Sequence, residues 1–97
     1  MERLLRSSLE AVPDDAPVLM ALGRAALRRK SMKSARDYFF RGLKSHPEHE
    51  GFLGGLGTVH YQMSQEKESL EFLNRLLRIN PWDANTFAMK GDVLRQL

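Results

Sequence analysis

The apolar residues of this 97-residue chain recur at a helical spacing. Successive stretches carry them at positions i, i+3, i+4 and i+7, which is typical of helices with one buried face. Short polar turns separate the stretches, such as RRKS at 28–31 and SQEK at 64–67. The pattern predicts an all-α chain of six helices, at about 2–11, 16–29, 32–45, 50–63, 66–79 and 84–96.

The same pattern repeats along the chain at a fixed interval, which is the separation of Pro13 from Pro47 and of Pro47 from Pro81. Prolines, glycines and large apolar residues all fall in register at this interval, and five such columns do not readily arise by chance. The columns are Pro13, Pro47 and Pro81; Gly23, Gly57 and Gly91; Leu19, Leu53 and Phe87; Leu5, Phe39 and Leu73; and Leu9, Leu43 and Leu77. Each interval holds two predicted helices, and the pair indicates a helical hairpin. We therefore divide one domain, 1–97, into a half repeat at 1–15, repeats at 16–49 and 50–83, and a half repeat at 84–97.

The repeat resembles the tetratricopeptide repeat (TPR) family, whose unit has the same length. In the first full repeat the family pattern falls on Leu19, Leu22, Gly23, Ala26, Ala35, Phe39, Gly42 and Pro47. In the second it falls on Leu53, Leu56, Gly57, His60, Ser69, Leu73, Leu76 and Pro81. Ala26 is small where the family has an aromatic residue, and Leu76 is large where it has alanine. The resemblance implies an α-solenoid, a right-handed superhelix of antiparallel hairpins.

The resemblance also implies a function, because the first helices of successive hairpins in this family line a groove that binds a partner protein. The chain is then a non-enzymatic interaction module or scaffold that binds a peptide or a domain, with no cofactor. Arg24 and Arg28 predict an acidic partner. The register predicts these groove residues: Met20, Arg24, Leu27, Arg28, Gly51, Gly54, Gly55, Thr58, Tyr61, Gln62, Asn85, Ala88, Met89 and Asp92.

The stretch GFLGGLG, at 51–57, contains four glycines and resembles a phosphate-binding loop at first sight. The segment before it predicts a helix end and a turn, whereas a nucleotide-binding loop follows a strand. Gly57 belongs to the repeated glycine column, where close helix packing explains it. The column does not explain Gly51, Gly54 and Gly55, which leave room for a partner, pack within the chain or have no role.

Charge is concentrated in one part of the chain. The net charge is +3, but the segment 16–49 alone carries eight Lys or Arg residues against two Asp or Glu residues. This basic first hairpin supports an alternative function, the binding of nucleic acid or an anionic surface, although nucleic acid is the less favoured partner. A third possibility is a structural segment that self-associates, as a homodimer, through its apolar end helices.

Other chemistry finds little support in the sequence. Without cysteine there is no thiolate metal site and no cysteine nucleophile, and no other nucleophile has a base and an orienting group beside it. The run HPEHE, at 46–50, offers possible metal ligands, but we interpret it as a solvated turn. We expect His60 to point into the core. No apolar run is long enough to cross a bilayer, so we expect a cytoplasmic protein.

The sequence also contains signals for the starts of helices. Asp15 and Asp83 occupy N-cap positions, and Pro17 lies in a first turn, where its missing N–H costs nothing. His49 takes the equivalent place before the helix predicted at 50–63, and histidine is a poorer capping residue type.

Overall fold

The computed structural model describes residues 15–97. The predictions for the half repeat at 1–15, including the helix at 2–11 and Pro13, therefore lie almost wholly outside the described residues. The described part of the chain contains no strand, and its α-helices each begin and end within one residue of the prediction. The all-α fold class is confirmed. The helices are α1 (Ala16–Arg28), α2 (Met32–Ser45), α3 (Glu50–Gln62), α4 (Glu66–Ile79) and α5 (Ala84–Gln96).

The helix starts differ in how they are capped. The Asp83 carboxylate accepts hydrogen bonds from the backbone N–H groups of Asn85 (3.1 Å) and Thr86 (3.4 Å), as predicted. Asp15 also occupies the N-cap position, of α1, as predicted, but its side chain makes no capping hydrogen bond. His49 was expected to cap poorly, yet its Nδ1 accepts from the Phe52 N–H at 3.3 Å. An unprotonated ring nitrogen can accept a hydrogen bond as a carboxylate does, which the residue-type ranking does not capture.

The turns inside the two hairpins have the same geometry. Lys30 and Ser64, which are separated by one repeat interval, both adopt left-handed backbone conformations with φ of 62° and 59°. Each is followed by a backbone N–H that closes the helix end, from Ser31 to Ala26 O and from Gln65 to His60 O, both at 2.8 Å. A left-handed residue after the last helical turn satisfies carbonyls that would otherwise lack partners. The repeat interval of the sequence is therefore matched by repeated local structure.

The core is formed where each helix packs against the next one along the chain, and where α1 also packs against α3. Phe39 of α2 is its central side chain, with 1% of its surface exposed. Its ring lies against both Gly23 of α1 and Gly55 of α3, where any β-carbon would collide with it. The other large apolar side chains that are fully buried are Phe52, Leu19, Leu22, Leu53, Leu56, Leu73, Val59 and Val93.

The second hairpin repeats this packing with different residues. A β-carbon on Gly57 would lie 2.8 Å from Leu73 Cδ2, and the buried Ser69 hydroxyl donates a hydrogen bond to Gly57 O at 2.7 Å. The predicted packing role of Gly57 is confirmed. His60 is buried as expected, stacked on Phe72 with ring centroids 5.4 Å apart, and its Nδ1 lies 2.6 Å from Gln65 Oε1.

Candidate functional site: a cleft between the first helices

A cleft of about 430 Å³ lies between α1, α3 and α5. These are the first helices of the predicted hairpins and of the closing half repeat. The predicted groove residues that line it are Met20, Arg24, Leu27, Gly51, Gly54, Gly55, Thr58, Asn85 and Met89. They come together because helices α1 and α3 contact each other while α5 packs against α4.

Five predicted groove residues do not line the cleft. Three of them, Arg28, Tyr61 and Gln62, lie in the last turn of their helices. Asp92 lies on α5 one repeat interval after Thr58 of α3, but it does not line the cleft. Ala88 is exposed on α5 but outside the cleft. Register along the repeat places residues on a helix face, but it does not give the position along the helix at which a cleft closes.

The floor of the cleft was not predicted. Phe39 of α2 and Leu73 and Leu76 of α4 line it, although both helices lie behind the row of first helices. All three lie beneath the glycines of α3 and are almost fully buried, with 1%, 1% and 5% of their surface exposed. Three further lining residues, Glu50, Asp83 and Thr86, lie at the starts of α3 and α5. The sequence signal that could have found the floor is the glycine cluster itself.

The three glycines without a repeat role have different surroundings. A β-carbon on Gly55 would lie 2.8 Å from Phe39 Cδ2, and one on Gly51 would lie 2.9 Å from the His49 ring and 3.0 Å from Met20 Sδ. These two glycines therefore make room for side chains of the chain itself. A β-carbon on Gly54 would meet only Leu76 Cδ2, at an ordinary contact distance of 3.6 Å. Gly54 is thus the position of the three that leaves the cleft open.

The charged residues around the cleft are unevenly engaged. Asp83 caps α5, and Glu50 Oε1 accepts a hydrogen bond from Asn80 Nδ2 at 3.2 Å. Arg24, on α1, is exposed and forms no hydrogen bond or ion pair with another described residue. The lining thus combines an apolar floor with one guanidinium and two carboxylates that form no ion pair with another described residue, and it is suited to a ligand that combines apolar and charged groups.

Helix α5 is tied to α3 across the cleft by a polar contact. Thr58 Oγ1 donates to Gly54 O at 3.0 Å and lies 3.7 Å from Met89 Sδ on α5. The thioether is a weak acceptor on a flexible side chain. Met20, on the opposite wall, also lines the cleft and is partly buried. Two methionines therefore give the cleft walls that can adapt to a ligand.

The remaining cations of the basic first hairpin lie elsewhere. Among the eight Lys and Arg residues of the segment 16–49, Arg24 is the one that lines the cleft. A separate depression of about 450 Å³ is lined by Arg36, Asp37, Phe40, Arg41, Lys44 and His60. Three of the cations therefore line this depression, and the other four, Arg28, Arg29, Lys30 and Lys33, line neither surface.

The HPEHE run has a local structural role. The rings of His46, His49 and Phe52 pack together, with 4.3 Å between the centroids of His49 and Phe52, and His49 Nδ1 caps α3. Within residues 15–97, no three His, Cys, Asp or Glu side chains are grouped so that they could hold a metal ion. None of the helices in this range is long and apolar enough to cross a membrane. The cytoplasmic location stays a prediction.

Comparison with known proteins gives one distant similarity. The chain is similar to a protein described as "Protein CTR9 homolog" from Arabidopsis thaliana, with 27% identity over 73 residues. The similarity covers 75% of this chain but only 7% of that protein. No family model matches the sequence. Because the aligned stretch is longer than two repeat intervals, the similarity extends beyond a single hairpin.

Proposed function

We propose that this chain is a non-enzymatic protein-interaction module of the TPR type, and that it binds a segment of a partner protein in the cleft between α1, α3 and α5. The repeated hairpin geometry and the register of the sequence columns support the TPR-like solenoid. The observation that carries the binding proposal is Gly54. It leaves a gap in the row of first helices above an almost fully buried apolar floor, where a side chain would otherwise fill the space.

The lining residues define the ligand by its chemistry. A peptide with one large apolar side chain would place that group on Phe39, Leu73 and Leu76, between Met20 and Met89. An acidic residue beside it would pair with Arg24, which makes no ion pair within the described chain. Burial of the apolar side chain supplies most of the affinity, while the charge pair selects the orientation of the peptide.

Nucleic-acid binding is less well supported by the same surfaces. Binding through phosphates requires many cations on one face, and here the cleft is lined by one cation and the depression around Phe40 by three. If nucleic acid were nevertheless the ligand, its affinity would fall steeply with salt, with a slope set by the number of phosphates that are neutralised. A peptide held mainly by apolar contacts would show a shallow salt dependence.

Co-purification of the tagged full-length protein, followed by mass spectrometry, tests the proposal. The Gly54→Leu variant should lose the cleft partner without unfolding, because the added side chain fills the cleft and the β-carbon position is free of close contacts. The matched control is Gly91→Leu, another glycine-to-leucine change in a helix at a position with open space. Thermal unfolding followed by circular dichroism should show that both variants remain folded.

The pattern of losses then decides the outcome. A partner that is lost from Gly54→Leu and retained by Gly91→Leu binds in the cleft. The binding segment of that partner, made as a peptide, should bind at least tenfold more weakly to Gly54→Leu, since burying one large apolar side chain contributes about 1.5–3 kcal/mol. Unchanged recovery of every partner by a folded Gly54→Leu variant would remove the cleft from the proposal.

A further inference from the structure

Helix α5 exposes the face that α1 and α3 bury. Leu19 of α1 and Leu53 of α3 are 0% exposed, whereas Phe87, the third member of the same sequence column, is 51% exposed. Two turns further along each helix, the contrast is the same. Ala26 and His60 are buried, but Leu94, their counterpart on α5, is 51% exposed.

Gly91, the glycine between these two positions, lacks the contact with a described residue that its counterparts make. In α1, the place where a β-carbon would lie on Gly23 is occupied by Phe39 of the following helix. In α3, Leu73 of the following helix occupies the same place at Gly57. At Gly91 of α5, no atom of the described chain comes within 4 Å of that place. The third position of the glycine column therefore forms an open notch between Phe87 and Leu94. The glycine column predicts the same packing at Gly91 as at its two counterparts, but no described residue packs there.

We propose that this face of α5, formed by Phe87, Gly91 and Leu94, is a docking surface for an amphipathic helix supplied by a partner protein. The surface is equivalent, in register, to the faces of α1 and α3 on which α2 and α4 dock. Those two interfaces therefore indicate what kind of helix the surface fits. Both docked helices present a small residue and, four positions later, a bulky apolar residue: Ala35 and Phe39 in α2, Ser69 and Leu73 in α4. The partner helix carries the same small-x3-bulky pattern, with the bulky side chain on Gly91.

Lys90 adds a charge requirement. Its counterparts, Leu22 in α1 and Leu56 in α3, are 0% exposed beneath the docked helices. A partner helix in the same pose therefore brings its own side chains close to the Lys90 ammonium group. An unpaired charge at an interface is costly, so the partner helix carries a carboxylate opposite Lys90.

The same lysine argues against a two-fold pairing of α5 with the α5 of a second copy. A two-fold pair of α5 helices would seat Phe87 of each copy on Gly91 of the other, with the symmetry axis between these residues. Lys90 lies within that stretch, so the two ammonium groups would face each other across the axis. Like charges in contact disfavour this pairing.

A probe peptide tests the surface directly. The peptide has the sequence of α4, Glu66–Ile79, because this helix already docks on a glycine of the same column through Leu73. A lactam bridge between the exposed Lys67 and Glu71 side chains keeps it helical, since an isolated helix of this length is only marginally stable. Isothermal titration measures its binding to the full chain and to variants of α5.

We expect the peptide to bind the unmodified chain and to bind Gly91→Leu at least tenfold more weakly, because the added side chain fills the notch. Gln96→Leu, the same residue added on another side of α5, should leave binding unchanged, and a Leu73→Asp peptide should not bind. Lys90→Leu should tighten binding, since α4 natively covers a leucine there. Gly54→Leu should have no effect, which separates this surface from the proposed cleft.

Three results would overturn the proposal. The first is equal binding of the peptide to the unmodified chain and to Gly91→Leu. Exchange of the peptide for α4 in its own hairpin would give this result. The second is no binding of the peptide to the unmodified chain. The third is a dimer, seen by light scattering, that Gly91→Leu converts to a monomer, because the occupant would then be a second copy. If Gly54→Leu did not affect partner binding in the cleft, that result would not contradict the proposal for this surface of α5.

Discussion

Gly54 and Gly55 are neighbours on α3, yet the structure uses them in opposite ways. Gly55 faces α2, and a β-carbon there would lie 2.8 Å from the buried ring of Phe39. Gly54 faces the cleft, and its β-carbon would lie 3.6 Å from Leu76, at a normal contact distance. Both glycines line the cleft, but successive residues of an α-helix point about 100° apart, so the β-carbon position of Gly55 is blocked by the core and that of Gly54 is free. A glycine cluster therefore has to be interpreted residue by residue.

The side of α3 that faces α2 is closely packed, and removal of the central side chain there, Phe39, should have the largest effect. Phe39→Ala deletes a ring that fills the space between Gly23 and Gly55. We expect the free energy of unfolding to fall by about 3–5 kcal/mol, from lost burial and the cavity left behind. Urea denaturation followed by circular dichroism measures this change. A loss below about 1 kcal/mol would show that the ring is not central to the core.

Gly55→Ala should have the next largest effect. The added methyl group requires the Phe39 ring to shift within a closely packed core, and overpacking of this kind costs about 1–3 kcal/mol. In the Phe39→Ala background the penalty should disappear, because the cavity accepts the methyl group. A double-mutant cycle in urea measures this coupling. Additive effects would show that Gly55 and Phe39 do not interact.

Ser69→Ala should have a smaller effect, on the side of α3 that faces α4. The change removes the buried hydrogen bond from the Ser69 hydroxyl to Gly57 O, which we expect to cost about 1 kcal/mol. The matched control is Thr58→Ala, which removes a comparable 3.0 Å hydrogen bond to Gly54 O on the cleft side, where the site is only partly buried. Urea denaturation of both variants should show the larger loss for Ser69→Ala, and the reverse order would contradict the contrast between the two sides.

Much of the fold followed from the sequence. The apolar spacing and the repeated columns predicted five described helices to within one residue, because both signals report which side of a helix is buried. They could not show that Gly55 accommodates Phe39, since that contact joins residues of two helices across a hairpin boundary. Nor could they show that Phe39, Leu73 and Leu76 form the floor of the cleft. Helix register specifies faces, whereas a cleft depends on how three helices are spaced.

The most direct test of the account is the difference in free energy of unfolding between Gly54→Ala and Gly55→Ala. Both variants make the same chemical change in the same helix, and both gain about 0.5–1 kcal/mol in helix propensity. We expect Gly54→Ala to be more stable than the unmodified chain by about this amount, and Gly55→Ala to be less stable, so that the two changes differ in sign. Destabilisation of similar size in both variants would contradict the claim that Gly54 leaves an open cleft while Gly55 packs against the core.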